Sequence, residues 1–85
     1  QESFIVKESY HQKAFEYYQK ALKIYQKYNN LPGQALAFRR IGNEYLELQK
    51  YKEGIENYQQ SLKIEQTLKN EENIANVENN LGVAY

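Results

Sequence analysis

A chain that repeats itself at a fixed interval must fold each copy alike and bury the copies against one another. Laid against itself with an offset of forty residues, this chain repeats. Between 11–45 and 51–85, eleven of 35 positions are identical, where a composition dominated by a few residue types gives roughly three by chance. The identities fall in blocks: Tyr18-Gln19 on Tyr58-Gln59, Leu22-Lys23-Ile24 on Leu62-Lys63-Ile64, then Asn30 on Asn70, Ala35 on Ala75, Gly42 on Gly82 and Tyr45 on Tyr85. Other pairs keep their character, such as Phe15 with Ile55 and Ile41 with Leu81.

Each period contains two apolar stripes with helical spacing. Ala14, Phe15, Tyr18, Ala21, Leu22 and Tyr25 share one helix face, and Ala35, Phe38, Ile41, Gly42, Tyr45 and Leu48 share another. Tyr51, Ile55, Tyr58 and Leu62 mark a third helix; Ile74, Val77, Leu81 and Tyr85 mark a fourth. No stretch alternates for long enough to make a strand. Asn29-Asn30-Leu31-Pro32-Gly33 places the single proline where it suits a first helical turn. Asn70 is placed to cap a helix opening on Glu71-Glu72. The expected helices are 2–9, 11–28, 33–48, 51–69 and 72–84.

Composition removes several functions. Eleven basic residues balance eleven acidic ones, so neither nucleic acid nor an anionic membrane is an expected partner. No run approaches the roughly 20 apolar residues of a membrane span. There is no cysteine and no aspartate, and His11 is the only histidine. A Ser/His/Asp or Cys/His arrangement therefore cannot be assembled from these residues. His11 reads as a helix-start surface or packing residue. Glu44 with Glu47, Glu53 with Glu56, and Glu71 with Glu72 read as solvated faces among lysines. The tyrosines at 10, 17, 18, 25 and 28 read as packing residues, because a base-stacking platform normally comes with a basic groove. No enzyme activity and no cofactor is expected.

The residues resemble the tetratricopeptide repeat family. Its large residue, Leu-Gly pair and Tyr look like Phe38, Ile41-Gly42 and Tyr45 in the first helix of a repeat. Its small, aromatic and small residues look like Gly54, Tyr58 and Ser61 in the second. Ala14, Tyr18 and Ala21 supply the preceding repeat, and Leu81-Gly82 with Tyr85 the following one. The forty-residue spacing resembles the longer variant, similar to kinesin light chain and to arrays in bacterial sensor and regulatory proteins. The resemblance implies an all-α fold, an α-solenoid of stacked antiparallel helix hairpins, with repeats at 1–40 and 41–80 and the start of another at 81–85. Glycines 42 and 82 would let the paired helix pass close by, and Tyr45 and Tyr58 would fill the wedge between hairpins.

The same resemblance implies a non-catalytic scaffold that takes a protein or peptide on its concave face. That face would present Arg39, Arg40, Asn43 and Glu47 from helix 33–48, and Asn76, Asn79 and Asn80 from helix 72–84. Arginine and asparagine suit peptide capture because they hydrogen-bond amides and carboxylates in fixed geometry. Arg39, Asn43 and Asn80 match three positions with which family members grip a C-terminal carboxylate. The basic residues expected on the next repeat are not matched at Asn76 or Asn80, so an asparagine ladder gripping an extended peptide is the better expectation. Two alternatives stand beside it: a regulatory or sensor segment of a larger signalling protein, and self-association through uncovered Phe4, Ile5, Leu81 and Tyr85. The compartment stays open, with the cytoplasm favoured.

Overall fold

The computed structural model describes the backbone of residues 2–84 and the side chains of 9–83. Four helices follow one another: α1 Glu2–Lys27, α2 Leu31–Glu47, α3 Tyr51–Leu68 and α4 Glu71–Ala84. There is no strand among the described residues.

The three turns are built alike. Asn29, Gln49 and Lys69 take left-handed backbone angles, with φ of 54°, 60° and 56°. After each, the next amide reaches back five residues: Asn30 N to Tyr25 O at 2.8 Å, Lys50 N to Tyr45 O at 2.9 Å, and Asn70 N to Glu65 O at 3.1 Å. The left-handed residue itself donates three residues back, Asn29 to Gln26, Gln49 to Leu46 and Lys69 to Gln66. This pair of bonds is the Schellman closure, which satisfies carbonyls that a helix end would leave open. At the other side of the first turn the Asn30 carboxamide oxygen accepts from Gly33 N at 2.9 Å, and Pro32 occupies the first helical turn of α2. Connections this short force neighbouring helices to run antiparallel.

Packing runs mainly between successive helices, α1 on α2, α2 on α3 and α3 on α4. The result measures 44 × 30 × 18 Å with a radius of gyration of 13.3 Å. A rounded chain of this length would have about 12 Å. The excess is that of a stack.

Its centre lies between α2 and α3. Tyr58 is fully buried, and Val77 and Leu81 of α4 close over it with Leu46, Ile55 and Leu62 around the edge. The two backbones meet at glycines: a Cβ on Gly42 would lie 2.7 Å from Cδ1 and Cε1 of Tyr58 and 3.1 Å from the Gly54 carbonyl oxygen. Ser61 adds a tie, donating its hydroxyl to the Ala35 carbonyl at 2.8 Å. On the α1 side the ring of Tyr25 covers Gly33, with ring carbons 2.5–2.8 Å from where a Cβ would stand. Phe15 and Tyr45 pack ring to ring with centroids 4.7 Å apart.

Several expectations need correcting. The sequence divides 2–9 from 11–28, yet α1 runs unbroken. Nothing between Ser9 and His11 breaks a helix: there is no glycine, no proline and no left-handed residue. Gly82 shares the sequence setting of Gly42 but faces open space, with nothing within 4 Å of where a Cβ would stand. Leu81 is buried beside Tyr58 and does not contribute an uncovered apolar face. Phe4, Ile5 and Tyr85 lie outside the described side chains. Of the five tyrosines on or just after α1, only Tyr18 and Tyr25 are partly buried, while Tyr10, Tyr17 and Tyr28 are exposed. Tyr51, on an apolar stripe by spacing, is also exposed.

Candidate partner-binding groove

α2 and α4 stand in the same order within their hairpins, and both lie over α3. Arg39, Leu36 and Ala35 of α2, Glu65 of α3, and Asn73 and Val77 of α4 line one pocket of about 180 Å³. Arg39 is half-buried there, reaching the space between the two helices. Arg40 follows it in sequence, and a step of about 100° around the helix turns it elsewhere. It lines a separate hollow facing α1, with Tyr17, Tyr18, Tyr25 and Leu36. The two arginines therefore serve different sides of α2.

Asn43 is drawn into the core. Its carboxamide oxygen accepts from the Tyr58 hydroxyl at 2.5 Å, so this polar group of an otherwise apolar centre is satisfied. That bond orients the amide and leaves its nitrogen as the donor end. Asn76 and Asn79 are exposed and Asn80 is half-buried. Asn73, Asn76 and Asn80 follow at helical spacing along one face of α4, and Asn79 lies beside Asn76 at the edge farther from Asn73. The structure thus brings Arg39 and Asn73 to one pocket and separates Arg40 from them, while Asn76, Asn79 and Asn80 do not line that pocket.

Burial raises the hydroxyl of Tyr58 above the ordinary tyrosine value of 10.0, and the nearby Glu47 carboxylate adds to the rise. The sign follows from linkage. Below about pH 10 both folded and unfolded chains keep this phenol neutral, and the stability it contributes is complete. As pH climbs past that value the unfolded chain releases the proton first, so stability falls. Urea titrations followed by circular dichroism across this range should show a decline that is shallower in Tyr58→Phe; an equal slope in both proteins would contradict it.

Three polar residues take roles that spacing does not show. His11 is buried in the middle of α1, and its Nδ1 pairs with the Glu44 carboxylate on α2. His11 is thus a packing residue, placed mid-helix and not at a helix start. Glu44 is its partner across the α1–α2 contact and no part of a solvated face. Glu65 is only 3 % exposed, and its Oε2 has no hydrogen-bond partner among the described residues. A signal for Glu65 exists in the forty-residue offset, which sets it opposite Tyr25. No group of three or more His, Cys, Asp or Glu side chains is gathered to hold a metal among the described residues. No helix among them is long and apolar enough to cross a membrane.

Antiparallel hairpins that share turn geometry, stack in chain order and meet at glycines define a helical-repeat scaffold, in which each unit is finished by its neighbour. Comparison with known families gives the particular one: the tetratricopeptide repeat matches residues 9–66, more than half of the chain. The protein belongs to the tetratricopeptide repeat family. Members of this family generally mediate protein–protein interaction and are generally non-catalytic scaffolds. No curated protein and no solved structure gives a significant match.

Proposed function

We propose that the chain binds an extended peptide segment of a protein partner in the groove between α2 and α4. The observation that supports this most is the shared lining: Arg39 from one helix and Asn73 and Val77 from the other border one open pocket over α3. An extended peptide needs donors and acceptors for its amides at regular intervals, and Arg39, Asn73, Asn76 and Asn80 offer them along two parallel rails. Family membership supports a protein partner. The balanced charge gives no long-range attraction to polyanions.

Asn43 is unsuited to a test, because removing its carboxamide strands the buried Tyr58 hydroxyl. Asn76 is exposed and Arg39 and Asn80 are half-buried, and changing all three to alanine should leave helicity and melting within a small margin. Peptides selected from a random library on the unmodified protein should bind this triple variant at least ten-fold more weakly. Undiminished binding to the folded variant would place the peptide site elsewhere.

A further inference from the structure

The pocket between α2, α3 and α4 is lined in part by a buried glutamate with an oxygen that lacks a partner among the described residues. Glu65 is 3 % exposed, and its Oε2 finds no partner among the described residues. Ser61, one turn earlier on α3, cannot be counted as its donor, since its hydroxyl is committed to the Ala35 carbonyl. Arg39 is the cation on the pocket wall, and no ion pair involves it among the described residues. The space is far larger than the roughly 10–15 Å³ that one water requires by the same kind of measure.

The repeat itself shows that the fold does not need an acid here. Forty residues earlier the same position holds Tyr25, whose ring lies over Gly33 at the α1–α2 contact and borders the hollow that Arg40 lines. In the next period the aromatic becomes Glu65 and the glycine becomes Asn73, and both border a cavity. Burying a carboxylate oxygen without a hydrogen-bond partner opposes folding. Keeping one where the same chain already has an apolar solution is the kind of local conflict that marks a working site.

We infer that this pocket receives a basic side chain of the bound peptide, a lysine whose ammonium pairs with Glu65 while its methylene stem lies against Leu36 and Val77. The stem matches the apolar walls, and the ammonium carries three donors for the orphaned oxygen. Arg39, half-exposed where Glu65 is buried, remains at the rim to meet the peptide's carbonyls. This inference rests on the groove proposed above and adds the chemistry of one anchoring residue.

The test is a heteronuclear NMR titration of the full chain with two end-blocked pentapeptides, Gly-Gly-Lys-Gly-Gly and the same peptide acetylated at the lysine nitrogen. Saturable shifts at the amides of Ala35, Ser61 and Val77 are expected with the first peptide, and at least ten-fold weaker binding with the second. Glu65→Gln should abolish the preference. Glu65→Tyr, which copies the earlier period, should fill the pocket, bind neither peptide and melt at a higher urea concentration than the unmodified protein. Equal binding of both peptides, a preference that survives in Glu65→Gln, or no saturable shift in the folded protein would each overturn the inference. So would a Glu65→Tyr variant that is folded and still prefers lysine. Library-selected peptides that depend on Arg39, Asn76 and Asn80 but not on a lysine would sink this inference alone and leave the groove standing.

Discussion

Tyr58→Ala should remove most of the stability of this chain. Emptying a fully buried aromatic position removes its transfer free energy and leaves a cavity, together about 3–5 kcal/mol. A domain of this size has only about 4–13 kcal/mol in total, so the loss is a large share of the whole. The ring touches all that matters: Gly42 across the helix contact, Val77 and Leu81 from α4, and Asn43 through its hydroxyl. Tyr58→Phe separates the last of these and should lose about 1 kcal/mol. Tyr18, its counterpart one period earlier, is only half-buried, and Tyr18→Ala should be much milder. Urea unfolding read by circular dichroism ranks the three; a Tyr18→Ala as damaging as Tyr58→Ala would contradict the placement of the core.

Gly42→Val and Gly82→Ala should move stability in opposite directions, although both glycines follow a large aliphatic residue and precede a tyrosine by three. Any side chain on Gly42 meets the Tyr58 ring at 2.7 Å, and that ring is enclosed and cannot swing aside. Overpacking of this kind costs about 1–3 kcal/mol, and a β-branched residue should reach the upper end. Helix propensity alone would favour replacing a glycine by up to about 1 kcal/mol. At Gly82, where the added methyl meets nothing, that gain is all that remains. Thermal melts of the two variants test the contrast, and a Gly42→Val protein as stable as the unmodified one would remove the close approach of α2 and α3 from the account.

Much of the fold can be read from residue spacing because helix packing imposes it. Ala35, Ile41, Gly42, Tyr58, Val77 and Leu81 all stand on the expected stripes and all are buried. Spacing works for such positions because a helix face and its neighbour must match over several turns. It says little about breaks, where a single residue decides. The division expected near residue 10 has no breaker behind it and is absent, whereas Asn30 and Pro32 mark a true helix start. Gln49 and Lys69 adopt left-handed angles that their types do not favour, because the Schellman bonds around them outweigh the local preference.

The site is less legible, since direction around a helix depends on the exact phase of the turn. Arg39 and Arg40 are adjacent in sequence, yet they face different hollows. Asn43 has the spacing of a surface donor beside them, but its oxygen is held by Tyr58. Glutamates at helical spacing look interchangeable; one of them, Glu44, pairs with His11 across helices. Charge type alone does not separate these cases. Only what stands opposite each residue in the neighbouring helix does.

The core, the turns and the groove all require α2 and α3 to touch backbone to backbone, with the Tyr58 ring held between Gly42 and α4. The direct measurement is the nuclear Overhauser effect between the Gly42 α-protons and the Tyr58 ring protons in solution. Ring carbons 2.7 Å from the Cβ position on Gly42 predict strong cross-peaks and an α-proton displaced by the ring current. Weak or missing cross-peaks in the folded chain, with the Gly42 α-protons at ordinary helical shifts, would mean that the helices are not nested in this way.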